Sequence, residues 1–191
     1  MMLRGLVLSV LSVLSSLCCL PDTARAEVVS VTETSFVSRS TREVSGAPDK
    51  VWGDLVVPAR WWDPARTWSG AAANLSLDVQ ASGCFCELLP PAPGTAGEGG
   101  SVEHLHVVHV VPGRLLRMTG GLGPLQAEPV GAVLSVTLVP AGAVTRVTFE
   151  YKVAGLVGFK GSEIAGPVDA VLAAQLARLA ALSGPVPPAG P

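Results

Sequence analysis

An α+β fold is predicted: a curved antiparallel β-sheet wrapped around a long C-terminal α-helix, with two short helices after the first strand. Three observations predict it. Between Asn74 and Val153 the hydrophobic period is two, the signature of half-buried strands. From Val168 to Leu182 the period changes to that of a helix, with Val168, Val171, Leu172, Gln175, Leu176, Leu179 and Leu182 on one stripe. Ahead of the strand-rich region, Ser45-Gly46-Ala47-Pro48-Asp49 reads as a helix start, with Pro at a first-turn position. A sheet with one apolar face must be covered, and the C-terminal stripe is the element able to cover it. Such a sheet, curling around the helix, leaves room for a cavity between them.

The elements follow in order. Glu27 to Val44 is loosely alternating and rich in Val, Thr and Ser, so it is expected to be the first strand. Val51, Trp52, Leu55 and Val56 form one face of a short helix that Pro58 ends. Arg60 to Gly70 contains Trp61, Trp62 and Trp68 and is expected to be a second short helix or an irregular segment. Leu75, Leu77 and Val79 alternate with Ser76 and Asp78, and Gly83 to Leu89 is a further strand run. Pro90 to Gly100 is a loop by composition. Val102 to Val111 and Leu115 to Gly120 are strands joined by the Pro112-Gly113 turn, and Leu125 to Val130 is read as a continuation past the glycines. Val133 to Val139 and Thr145 to Val153 complete the sheet. In the last strand Thr145, Val147, Phe149, Tyr151 and Val153 share the buried face, and Arg146, Thr148, Glu150 and Lys152 the solvated one. The final helix is expected to open at Pro167 and to stop at Gly184-Pro185.

The chain begins like a secretory leader. Arg4 precedes an uncharged apolar run from Gly5 to Leu20, and Ala24-Arg25-Ala26 matches a small-residue cleavage site. Residues 1–26 are therefore expected to be a signal peptide, 27–184 one domain, and 185–191 a disordered Pro-rich tail. The expected location is the periplasm or the exterior. No segment after Leu20 is expected to span a bilayer, so no stable membrane span remains after cleavage. Of 191 residues, 13 are basic and 15 acidic; the leader removes two basic and one acidic residue, leaving a charge of −3. No basic run exists, so nucleic acid is not an expected partner. Only Cys84 and Cys86 remain of the four cysteines, too few for a disulfide framework.

The chemistry concentrates in two pairs, Cys84-Phe85-Cys86 and His104-Leu105-His106, in neighbouring strands across the Pro90–Gly100 loop. Residues two apart in a strand share a face. If Leu89 faces Ser101, Cys86 lies opposite His104 and Cys84 opposite His106, so all four side chains could converge. Three readings stand open: a zinc site, a Cys84–Cys86 disulfide that would need a bulge to bring the Cα atoms together, and buried thiols beside hydrogen-bonded histidines. Glu87 and Glu103 have the opposite parity and would then face solvent, as would His109. No Gly-x-Ser-x-Gly elbow occurs, and Gly120 to Gly123 does not introduce a helix, so neither a hydrolase elbow nor a phosphate loop is indicated.

This element order, together with several motifs, resembles the START-like (SRPBCC, or helix-grip) superfamily, which includes polyketide cyclases and Hsp90-ATPase-activator C-terminal-like domains. The residues carrying the resemblance are Ala47-Pro48-Asp49-Lys50-Val51-Trp52, Trp61-Trp62-Asp63-Pro64, Thr67-Trp68-Ser69-Gly70, Gly83-Cys84-Phe85-Cys86-Glu87, Val111-Pro112-Gly113-Arg114-Leu115-Leu116-Arg117, Gly120-Gly121-Leu122-Gly123-Pro124-Leu125-Gln126, and Val168-Asp169-Ala170-Val171-Leu172. The resemblance implies a deep apolar pocket between sheet and helix for a hydrophobic small molecule or lipid. It implies no cofactor and no shared catalytic residue. Candidate pocket residues are Trp61, Trp62, Trp68, Cys84, Cys86, His104, His106, Met118, Gln126, Tyr151 and Gln175. Two alternatives remain: a cyclase or hydrolase using His104, His106 and Tyr151 as acid–base groups, and a protein-interaction module of Hsp90-activator shape.

Overall fold

Eight strands build one antiparallel sheet: β1 (Arg25–Val31), β2 (Ser35–Ser45), β3 (Leu75–Leu77), β4 (Cys84–Leu89), β5 (Gly100–Val111), β6 (Leu115–Thr119), β7 (Gly131–Ala141) and β8 (Val144–Ala154). Their spatial order is β1-β2-β8-β7-β6-β5-β4-β3. Helix α1 (Pro48–Leu55) follows β2, and the long helix α2 (Gly161–Leu182) closes the chain. The computed structural model describes residues 25–94 and 97–186. The predicted fold class is the observed one, an open antiparallel sheet with a long C-terminal helix in the helix-grip arrangement.

The inner face of the sheet is a continuous apolar layer. Phe36, Leu116, Met118, Leu134, Val136, Leu138, Val147, Phe149, Tyr151 and Val153 are all buried. In β8 the inward set is the one predicted from alternation. Leu172, Gln175, Leu176 and Leu179 of α2 are buried against this layer. Each such aliphatic or aromatic side chain removed from water contributes roughly 1.5–3 kcal/mol before entropy is counted. Polar ties set the helix position: Ser38 Oγ donates to Asp169 at 2.6 Å, and Ser183 Oγ donates to Asp54 of α1 at 3.1 Å. Lys50 and Arg60 also bind the Asp54 carboxylate, which fastens α1 and its following turn to the end of α2.

Several boundaries differ from the sequence expectation. The first expected strand is a hairpin, because Thr32 to Thr34 turn the chain and β1 folds back on β2. The expected leader cleavage after Ala26 falls at the second residue of β1; residues 1–24 lie outside the described residues, as does most of the expected tail. Leu125 to Val130 does not continue a strand: Gly123–Ala127 is a 3₁₀ turn with Leu125 fully buried. Helix α2 begins six residues before Pro167, which sits inside it. There Lys160 N–H bonds to Glu163 Oε2 at 3.2 Å and fixes the true helix start. By length and composition α2 could cross a membrane, contrary to the expectation for segments after Leu20. In this fold its apolar stripe covers the sheet.

The register of β5 carries the feature that matters most for the site. From the loop inward, Gly100, Ser101, Val102 and Glu103 pair with Leu89, Leu88, Glu87 and Cys86. Then Leu105 pairs with Phe85 and His106 with Cys84, so His104 is an extra residue without a partner in β4. This is a β-bulge, and it leaves His104 and Leu105 buried in succession. A second bulge skips Val108 in the pairing with β6.

Candidate functional site

The bulge breaks up the quartet. Cys84, Cys86 and His106 stay on the outer face of the sheet, while His104 turns inward. The two cysteines form a disulfide, with Cα atoms 5.4 Å apart. That is shorter than the ~6.6 Å repeat of two residues in a regular strand. Cysteines joined this way offer no thiolates to a metal. Among the described residues no group of three or more His, Cys, Asp or Glu is arranged to hold a metal ion. Cys84, Cys86, His104 and His106, weighed together as a zinc site, are not brought together in this structure.

The inward half of the bulge produces a different pair. His104 Nε2 lies 2.9 Å from Glu87 Oε2, with both side chains buried. Glu87, expected in solvent, follows Phe85 in parity and projects into the interior, where it also accepts the backbone N–H groups of Trp68 and Ser69. Burial, the largest influence, pushes the Glu87 carboxyl up; the hydrogen bonds from Ser69, Trp68 and His104 outweigh it and hold the pKa below its ordinary value. A carboxylate can only accept, so Nε2 of His104 carries the proton in this contact. Nδ1 has no hydrogen-bond partner among the described residues. The ring packs on Phe85 with centroids 5.0 Å apart.

His104 lines a cavity of about 450 Å³ between sheet and helix. One wall is the segment after α1: Trp62, Ala65, Arg66, Thr67 and Trp68. Ile164, Pro167, Val168, Val171 and Leu172 of α2 form the second, and Leu122, Gly123 and Pro124 the third. The sequence sets each wall. Pro58 and Pro64 break the chain into short 3₁₀ turns, Asp63 caps the second turn through Ala65 N–H, and Glu87 pins Trp68 and Ser69 from behind. The Leu122 wall hangs on Tyr151, whose hydroxyl donates to Gly120 O at 2.8 Å and accepts Leu122 N–H at 3.0 Å. Gly120 adopts a φ of 134°, which favours glycine there.

The predicted site residues therefore separate. Trp62, Trp68 and His104 line the cavity. Trp61 and Met118 line a smaller apolar cavity of about 30 Å³ deeper in the core, which Trp62 also borders. Cys84, Cys86 and His106 lie on the opposite face of the sheet. Tyr151 is not an open polar handle: both hydrogen-bonding roles of its hydroxyl are taken, and burial pushes its pKa up to about 12. Gln126 Nε2 donates to Glu103 O at 3.0 Å, outside the cavity wall. Gln175 is buried, accepts Asp63 N–H at 2.8 Å, and is no part of the wall. The residue missed was Glu87. Its signal was available: an acidic residue in phase with Phe85, on the side of the strand that the alternation of Leu75, Leu77 and Phe85 marks as apolar.

No protein-family model matches the sequence, and no curated protein matches it. Solved structures do match in fold. CalU16 from Micromonospora echinospora aligns with TM-score 0.54 at 14% identity, over 86% of this chain and 88% of that chain. Protein MLL2253 from Mesorhizobium loti aligns with TM-score 0.53 at 19% identity, over 76% and 95%. EF2215 from Enterococcus faecalis, described as a conserved protein of unknown function, aligns with TM-score 0.52 at 14% identity, over 88% and 81%. At these identities the likeness shows the shared fold alone.

Proposed function

We propose that this protein is a START-like, SRPBCC-type binder of a hydrophobic small molecule or lipid, acting in the periplasm or outside the cell. The supporting observation is the cavity of about 450 Å³, whose lining is chiefly apolar and aromatic, with His104 in its wall. A pocket of that size and character suits a small ligand held by its apolar body and oriented by few polar groups. The His104 edge is a fixed polar point among the lining residues: Glu87 holds the ring and leaves Nδ1 to meet a hydroxyl, carbonyl or carboxyl of the ligand. The leader-like residues 1–26 support the location.

Native mass spectrometry of protein purified from its own host tests retention of a ligand. Titration with an apolar fluorescent probe tests the cavity directly. Val171→Trp, which fills the cavity from α2, is expected to weaken probe binding at least about tenfold, with a stability change under about 1 kcal/mol. Unchanged probe affinity in that variant, with no retained ligand, would defeat the proposal.

An enzymatic reading draws on one observation, the buried Glu87–His104 pair at the cavity wall. A carboxylate that orients an imidazole is a general-base arrangement. His106 and Tyr151 contribute nothing to it, because one lies on the outer face and the other is fully engaged. Turnover that His104→Ala abolishes while probe binding persists would distinguish the enzyme from the carrier.

A further inference from the structure

The outer face of β4 and β5 carries a second chemical site, unrelated to the cavity. Cys84 and Cys86 are partly exposed and bridged, with only Phe85 between them. Directly across the strand pair, His106 lies opposite Cys84 and Glu103 opposite Cys86. These two residues are joined by a 3.2 Å contact from His106 Nδ1 to Glu103 Oε1, and their side chains are 44% and 52% exposed. Helix α2 packs on the other face. On the far side of β4, the edge strand β3 is three residues long and presents exposed Ser76 opposite Cys86. The bridge is therefore open to solvent beside an imidazole whose Nε2 is unoccupied among the described residues.

A bridge across one residue constrains the unfolded chain little, because the loop it closes is minimal. Exposed disulfides of this kind are the labile ones. We infer that Cys84–Cys86 is a thiol–disulfide exchange site, with His106 as proton donor to the leaving sulfur and Glu103 as its positioning residue. A substrate thiolate attacks Cys86 Sγ and the Sγ–Sγ bond breaks. The electron pair leaves on Cys84 Sγ, which takes a proton from His106 across the ladder. A second substrate thiolate then attacks the substrate sulfur of the mixed disulfide and releases Cys86. The protons given up as the two substrate thiols ionise return to His106 and to the released Cys86 thiolate, so two substrate thiols become one disulfide, and two electrons and two protons end on Cys84 and Cys86. The substrate class is thiols, with glutathione as the probe.

The charged and titratable groups around His106 are few. Glu103 and His109 lie on its own strand, and β4 presents only the two cysteines on this face. From β6, Thr119 sits opposite His106, and Arg117 beyond it is held by Ser135 at 3.1 Å. Asp78, just past β3, bonds through its N–H to Cys84 O.

The test equilibrates the folded protein in glutathione buffers of graded ratio, traps thiols by alkylation and counts them by mass, with circular dichroism recorded alongside. Reversible reduction with the fold retained is expected. Stopped-flow exchange rates are then followed between pH 5 and 8, the range in which imidazole ordinarily changes charge. His106→Asn is expected to slow exchange at least about tenfold at the acid end and to leave a rate that simply follows the glutathione thiolate fraction, steeper with pH than wild type because no acid catalyst offsets the rise. Glu103→Gln, an exposed change, is expected to lower the rate less and to keep the wild-type profile, because the imidazole that donates the proton remains. A bridge that resists glutathione until denaturant unfolds the chain, or equal rates and profiles in wild type and His106→Asn, would overturn the inference. Neither result bears on probe binding in the cavity.

Discussion

His104 occupies no rung of the β4–β5 ladder, yet its Nε2 meets Glu87 Oε2 at 2.9 Å, one of three donors on that carboxylate. The pair joins the sheet to the Trp68 segment and sets a buried carboxylate behind the cavity wall. Glu87→Ala strips Trp68 N–H, Ser69 N–H and the imidazole of their acceptor. We expect a loss of about 3–5 kcal/mol in urea denaturation, the usual effect of removing one partner of a buried pair. Glu87→Gln keeps one acceptor oxygen but turns an N–H₂ toward a donor, and is expected to cost about 2 kcal/mol.

Acid should weaken the fold through the same carboxylate. The folded-state pKa of Glu87 is lowered, and so is that of Asp54, where burial pushes up but hydrogen bonds from Lys50 and Ser183, with the charges of Lys50 and Arg60, together outweigh it. Lowered carboxyl pKa values mean stability that is complete above the unfolded-state values, about 4, and lost as pH falls through the folded-state values below them. Urea midpoints measured from pH 7 to pH 3 should stay flat with respect to these groups above about pH 5 and then fall. Glu87→Gln should remove part of that fall.

Tyr151→Phe tests the other wall. Deleting the hydroxyl leaves Gly120 O and Leu122 N–H without their partner. The expected cost is about 1–2 kcal/mol, read by thermal or urea unfolding. Because the phenol is held neutral with its pKa pushed up to about 12, the effect should be the same at pH 6 and pH 9. A strong pH dependence of the difference would contradict this assignment.

Trp68 is the opposite case. Its side chain borders the cavity although the residue is 59% exposed. Trp68→Ala should change stability by no more than about 0.5 kcal/mol, while lowering affinity for an apolar probe several-fold. Equal losses of both would mean that the ring is a packing element.

The sheet, the covering helix and the inward face of β8 were legible because alternation in Thr145–Val153 and the stripe in Val168–Leu182 are unbroken. The start of α2 was hidden because Pro167 mimics a first-turn proline, while the true start rests on Glu163 reaching back to Lys160. The site was legible only in part. Trp62, Trp68 and His104 were named, but their company was wrong. Parity arguments carry a strand's faces from one end to the other only while every residue has a partner. A single extra residue at 104 therefore sent His104 inward, away from His106. A quartet facing the interior requires Glu87 to face solvent, whereas Phe85 and Glu87 share a parity and are buried together.

The bulge has a consequence for how this strand changes over generations. Removing residue 104 from the chain would leave Glu103 opposite Cys86 and Leu105 opposite Phe85, with every other rung and both faces intact. In the ladder the cavity imidazole is thus an added residue rather than a replacement at an existing rung. Relatives without it should carry a gap at this point, and a gapless comparison of β5 would match His104 to the wrong side of the sheet.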